Sequence, residues 1–212
     1  LGWKLSFLEG KGTLNGAVFR QEIDGYQFNT FVGTSFVTYN LEAEVSGLEL
    51  DASLSPVEGL LLQGGYAYTK ATYESDPENF GFTGQQLTNT PEHVVTGAAT
   101  YTQPLGGSGV ELLLHGNFRY NTEVETSIAV YNPVASQRLP AGGPTANDAY
   151  ALFNARIGVQ AQDGRWALSV FGENLTEEYY NLTTFPVPEQ TGVFNGYPAL
   201  PRFYGVEAKI SF

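Results

Sequence analysis

A hydrophobic period of two recurs along this chain and limits what it can fold into. The last segment is the cleanest. Tyr204, Val206, Ala208, Ile210 and Phe212 fall on one face, and Gly205, Glu207, Lys209 and Ser211 on the other. Successive side chains of a strand point to opposite faces, so this alternation specifies a strand with one apolar and one polar side. In Arg165–Glu173 the apolar set is Trp166, Leu168 and Val170. In Ala151–Ala161 it is Ala151, Phe153, Ala155, Ile157 and Val159, opposite Asn154, Arg156 and Gln160. In Val110–Tyr120 it is Val110, Leu112, Leu114, Phe118 and Tyr120, opposite Glu111, His115, Asn117 and Arg119. Trp3–Leu8, Thr13–Ile23, Leu41–Leu54, Leu60–Thr72 and Val94–Gln103 read the same way, giving an all-β, antiparallel chain of about nine strands. Within Leu41–Leu54 the apolar phase slips: Leu41, Ala43 and Val45 are in one phase, Leu48, Leu50, Ala52 and Leu54 in the other. The slip predicts a β-bulge at Ser46-Gly47.

The connections alternate in length. Glu9–Gly12, Pro56–Gly59, Pro104–Ser108 and Gln162–Gly164 are short and rich in Gly or Pro. Asp24–Thr38, Tyr73–His93, Asn121–Ala149 and Leu175–Phe203 are long. Compact soluble domains rarely carry several long structureless loops. Transmembrane barrels do, with short periplasmic turns and long extracellular loops. No apolar run is long enough for a membrane helix. In lipid every backbone polar group must be paired within the protein, so a membrane-spanning form of this chain has to be a barrel.

Composition narrows the function. With no Cys among 212 residues, disulfides, thiolate metal sites and Cys nucleophiles are excluded. A net charge of −12 argues against a nucleic-acid partner. No G-x-S-x-G, H-E-x-x-H or catalytic triad pattern is present, and no enzyme activity or catalytic residue is expected. Neither His93 nor His115 has a metal-ligand spacing partner. Glu74, Asp76 and Glu78 lack a calcium-loop pattern and read as a solvated acidic loop. No metal site or resident cofactor is expected.

Several stretches, in order, resemble the TonB-dependent outer-membrane receptors. Asn40-Leu-Glu-Ala-Glu-Val-Ser-Gly-Leu-Glu-Leu50 is similar to the strand carrying that family's N-A-E-x-x-G-x-E pattern. Pro56–Thr69 is similar to the turn and strand that follow it. Tyr150–Gly158 fits the third-last strand. Phe171-Gly-Glu-Asn-Leu-Thr-Glu-Glu-Tyr-Tyr180 resembles the V-x-N-L-x-D-x-x-Y segment, and Pro201-Arg-Phe-Tyr-Gly-Val206 with Phe212 resembles the P-R-x-x-G closing strand. The resemblance implies a barrel of about 22 strands with a plugged lumen. Bacterial single-chain barrels have even strand numbers. An odd count therefore leads us to expect that residues 1–212 are the C-terminal portion of a receptor barrel, with the plug domain not present in this chain.

The resemblance also implies a role: energised uptake of a scarce small-molecule ligand. That ligand is most often a ferric siderophore, which itself carries iron; cobalamin, haem and saccharides are also served. The implied partners are outer-membrane lipid, the TonB complex acting through the missing N-terminal part, and the barrel-assembly machinery. The assembly machinery would read Tyr204, Val206, Ala208, Ile210 and Phe212. Position in the long loops makes Tyr73, Phe80, Phe82, Tyr131, Tyr179 and Tyr180 candidates for ligand contact. Polar phase places Glu111, Arg119, Arg156, Arg165 and Glu173 on the lumen face, where ion pairing with the wall or a plug is the plainest role. Two other readings fit the alternation: a passive small outer-membrane barrel, and a soluble β-sandwich carbohydrate-binding module.

Overall fold

The computed structural model describes residues 1–32, 35–75, 83–127, 131–132, 137–138, 145–187, 190 and 193–211. One antiparallel sheet of nine strands, each paired with its neighbour in sequence, forms a continuous wall. The strands are β1 (Gly2–Phe7), β2 (Gly12–Val32), β3 (Ser35–Leu54), β4 (Leu60–Ser75), β5 (His93–Pro104), β6 (Val110–Asn121), β7 (Tyr150–Ala161), β8 (Trp166–Glu173) and β9 (Phe203–Ile210). All nine expected strands are present. Among the described residues β1 and β9 pair only with β2 and β8, so the wall is an open arc of a barrel.

The apolar phases line up across the whole wall. Register pairs Leu5 with Leu14, Leu14 with Ala52, Leu54 with Leu62, and Leu62 with Ala99. Farther along, Tyr101 pairs with Leu114, Leu114 with Ile157, Ile157 with Val170, and Val170 with Val206. Exposed large apolar side chains fall on this face, among them Leu5, Val18, Phe118, Ile157, Leu168, Val170 and Val206. A soluble protein would bury such a surface; here it is the lipid-facing side. Along β4 it runs Leu60, Leu62, Gly64, Tyr66 and Tyr68 before Lys70 ends it. Five outward positions, each pair about 6.8 Å apart along the strand, span about 27 Å. Tilted by about 40°, they cover about 21 Å of bilayer, close to the apolar band of a barrel. Phe7, Tyr101 and Trp166 mark the turn side of this band, and Tyr66, Tyr68, Tyr120 and Tyr204 the loop side, as interfacial aromatics do.

Of Asp24–Thr38, expected to be a loop, Asp24–Val32 and Ser35–Thr38 are strand. β2 and β3 stay paired as far as Val32 and Ser35, well beyond the apolar band. The bulge expected at Ser46-Gly47 is absent, because pairing runs unbroken through Val45, Ser46, Gly47 and Leu48 on both sides. The apolar phase slips there because the surroundings change while the backbone does not. Below Ser46 the outward residues meet lipid. Above it the inward residues Leu41 and Ala43 meet Ala71, Tyr73 and Leu87 in the main buried cluster. The register does break higher up, where Asp24 and Gly25 together face Glu42. Gly25 has φ +73, a conformation costly for a residue with a Cβ. A second irregularity leaves Glu74 as an extra residue of β4.

The segment leading into β5 folds back along the upper half of β4. Tyr73 N–H donates to Gln85 O, Leu87 N–H to Ala71 O, and Gly84 N–H to Tyr73 O. Gln86 fastens it further, its amide donating to Thr69 O and Thr90 O. This pairing satisfies the backbone of β4 above the point where β5 ends and drives Leu87 into the cluster.

Candidate functional site

The site is the inner face of the wall and the loops above it. Inward positions on β6 are Glu111, His115, Asn117, Arg119 and Asn121; on β7, Tyr150, Asn154, Arg156 and Gln160; on β8 and β9, Glu173, Glu207 and Lys209. Four of the five residues expected on the lumen face, Glu111, Arg119, Arg156 and Glu173, share this polar phase of the wall. The fifth, Arg165, precedes β8 and lies in the periplasmic turn, its Nε 3.3 Å from Asp163. Arg156 lies over the Phe171 ring and makes a two-pronged pair with Glu207, with Nη1 donating to Oε1 at 2.8 Å and Nη2 to Oε2 at 3.3 Å. Gln160 donates to Glu111. Arg119 differs from Arg20, Arg156, Arg165 and Arg202: its Nε donates to Asn121 Oδ1 at 3.0 Å, and no carboxylate lies within 4.0 Å of it among the described residues. Glu173 likewise faces the lumen without a described ion-pair partner.

A hydrogen-bond chain crosses this face from β5 to β8, and a backbone amide fixes its direction. Asn174 N–H donates to Asn154 Oδ1 at 2.9 Å. That leaves Asn154 Nδ2 to donate to Asn117 Oδ1 at 2.9 Å. Asn117 Nδ2 must then face His115 Nε2, 3.2 Å away, which therefore accepts. His115 carries its proton on Nδ1 and donates it to Thr100 Oγ1 at 2.8 Å. Asn174, 7% exposed, closes the base of the loop beyond β8 by donating to Glu178 O and Leu200 O.

The loops above the wall are tied to one another by buried hydroxyls and amides. Thr126 donates to Thr145 O, and its Oγ1 lies 3.0 Å from Thr184 Oγ1. Asn147 and Asn181 exchange two bonds of 2.8 Å, Nδ2 to O and N–H to Oδ1. Asn89 N–H donates to Glu125 O. Three connections thus share one hydrogen-bonded body. Nothing in their alternation or composition announced this, because lone Thr and Asn residues read as ordinary turn formers.

The candidate ligand aromatics separate by placement. Tyr73 is 4% exposed and packs edge-on against Tyr26 inside the buried cluster, so its ring is used in packing. It stands above the apolar band, and burial, with Tyr26 beside it, pushes its phenol above the ordinary value. Tyr180 stacks on Tyr150, with ring centroids 4.5 Å apart. Tyr179 is 81% exposed at the mouth. Tyr131 lies in a short strand pair with Arg138. Phe80 and Phe82 lie outside the described residues, as do Asp76 and Glu78. Of the expected assembly signal, Tyr204, Val206, Ala208 and Ile210 share the lipid face of β9, and Phe212 lies outside the described residues. His93 has no part in the lumen: it points outward, with Tyr66 Oη 2.9 Å from its Nδ1.

Comparison with known proteins agrees with this geometry. Residues 1–175 match the TonB-dependent receptor-like β-barrel family. Among solved structures, the ferric yersiniabactin uptake receptor of Yersinia pestis superposes over 100% of this chain and 29% of its own, with a TM-score of 0.75 and 16% identity. The ferripyoverdine receptor of the Pseudomonas aeruginosa outer membrane covers 98% of this chain and 26% of its own, with TM-score 0.68 and 17% identity. The copper transporter OprC covers 100% and 30%, with TM-score 0.69 and 15% identity. The chain spans less than a third of the length of each. These likenesses agree with the open arc, the outward apolar band and the inward polar face. The chain belongs to the TonB-dependent receptor family and forms part of its outer-membrane β-barrel.

Proposed function

We propose that this chain is the C-terminal part of the wall of a TonB-dependent importer that takes up a scarce ligand, most simply a ferric siderophore. The observation that carries the reading is the inner face, polar and hydrogen-bonded from β5 to β9 in a protein whose outer face is made for lipid. Such a wall suits a polar domain or a passing polar solute. In this reading the plug and the TonB-contacting segment belong to the N-terminal part of the receptor. Ligand contact falls to the mouth: Tyr179, the Tyr150–Tyr180 stack, and the exposed Arg119 guanidinium. Aromatic faces and a guanidinium fork together suit a flat ligand with anionic oxygens. The names of two structural neighbours, receptors for ferric yersiniabactin and ferripyoverdine, support an iron complex as cargo. The copper transporter among them supports a second reading, a copper species. The outward face of β9, with Tyr204, Val206, Ala208 and Ile210, would be the part read by the assembly machinery.

The test is uptake by the full-length receptor in cells starved of metal. We expect accumulation of radioactive iron from a panel of ferric siderophores, lost when either the receptor or TonB is deleted. Iron uptake unchanged by both deletions, with copper uptake reduced, would move the assignment to the second reading. Ion conductance by the receptor without TonB would overturn both in favour of a passive channel.

A further inference from the structure

The outer face changes character in a fixed order of height. Val18, Leu48, Tyr68 and His93 form one cross-strand row at the top of the apolar band. One step farther out, register sets Arg20 opposite Ser46, and Ser46 opposite Lys70. One step beyond that lie Glu22 and Glu44, which pair with each other across β2 and β3. The sequence along the membrane normal is therefore aliphatic and aromatic, then cationic, then acidic.

We propose that the row Arg20–Ser46–Lys70 is a recognition site for the phosphate of an anionic lipid in the outer leaflet. Three observations carry this. The first is height: the row sits directly above the tyrosine–histidine layer, where headgroups begin. The second is spacing. Arg20 and Lys70 are two strand steps apart, about 9.6 Å, a spacing over which two long basic side chains can reach one group above the Ser46 hydroxyl. The third is available charge. Glu22 and Glu44 both take the same nitrogen of Arg20, Nη2, at 3.1 and 2.8 Å. Nε and Nη1 are left over, and Lys70 has no ion-pair partner among the described residues. The charged groups nearest the row are Glu22 and Glu44, with Asp24, Glu42 and Glu74 farther out along the same strands. All five lie on the solvent side. They repel a phosphate that rides too high and so set its depth. This proposal needs only the outer-membrane barrel, so it stands or falls apart from the identity of the transported ligand.

The experiment measures lipid binding to the full-length receptor in detergent, by native mass spectrometry. The probes are bisphosphorylated lipid A, its dephosphorylated form, and inorganic phosphate. Each basic group near an anionic surface contributes about 1 kcal/mol. K70Q is therefore expected to weaken lipid A binding about fivefold, and R20Q/K70Q about 25-fold, with K70R close to the unchanged receptor. E44Q is expected to strengthen binding by freeing Arg20, an effect that general damage to the fold would not give. R165Q, in the periplasmic turn, is the control. The proposal is overturned if the dephosphorylated lipid binds as tightly as lipid A. It is equally overturned if K70Q and R165Q behave alike, or if inorganic phosphate competes at the affinity of the lipid, which would make this a site for a free anion.

Discussion

The chain of amides from Thr100 to Asn174 has a polarity that substitution should expose. Asn154 is the link that matters most, because its Oδ1 takes the backbone N–H of Asn174, a residue 7% exposed. Replacing Asn154 by Leu strands that amide. An unsatisfied buried donor costs about 1–3 kcal/mol, and the lost bond to Asn117 about 1 more. The expected total is about 2–4 kcal/mol, or roughly 30- to 900-fold in the folding equilibrium. Asn117→Leu removes as many bonds but strands only side-chain ends beside the lumen, which water can satisfy, so it should cost about 1 kcal/mol. Asn154→Asp is the more telling change. A carboxylate still accepts from Asn174 but has no proton for Asn117, so Asn117 must turn its amide over. His115 then has to present a proton at Nε2 in place of Nδ1. The assays are denaturant unfolding of the full-length receptor in lipid vesicles and nitrogen NMR of its histidine rings, with His115→Gln identifying the signal. Equal costs for Asn154→Leu and Asn117→Leu, or a His115 ring unmoved by Asn154→Asp, would refute the directional chain.

Three further outcomes follow from the same geometry. Val170→Arg, on the lipid face of β8, should destabilise the folded receptor by about 2–4 kcal/mol in vesicle unfolding, whereas Lys209→Arg on the inner face should change it little. Leu87→Ala should cost about 2–5 kcal/mol by emptying the cluster of Leu41, Ala43, Ala71 and Tyr73, and should expose residues 84–92 to added protease while the wall stays folded. Gly59→Ala should cost more than the usual 1 kcal/mol in thermal unfolding, because Gly59 has φ +79 and a Cβ there would sit 2.1 Å from Thr102 O.

The wall was legible because lipid imposes a strict alternation on every residue that touches it. Strands such as β7 and β9 carry that pattern over their whole length. The lumen face followed from the phase, and Arg165 strayed only because it lies one residue before β8, where phase loses its meaning. The upper half of β2 and β3 was hidden for the converse reason. Beyond the bilayer neither face is bound to be apolar, so Asp24, Gly25 and Asn29 resemble a loop although they lie within one continuous strand. The misplaced bulge has the same origin, since Leu41 and Leu48 are apolar for different neighbours. The loop-to-loop ties through Thr126, Asn147 and Thr184 depend on partners more than 15 residues away, and no local pattern records such pairings.

The strap from Gly84 to Glu92 also bears on how the wall reaches its place. Leu87 can enter its cluster only after the β4–β5 hairpin has crossed the bilayer, because Ala71 and Tyr73 lie on the far side of the apolar band. Once it is seated, sliding the hairpin back would tear Leu87 from its neighbours, break the bonds to Ala71, Tyr73 and Gln85, and drag bare backbone into lipid. The cluster therefore works as a one-way catch on insertion. Passage toward the exterior meets no such obstacle, while retreat does. With Leu87→Asp, hairpins halted partway should slip back and leave the segment sensitive to protease added from the periplasmic side.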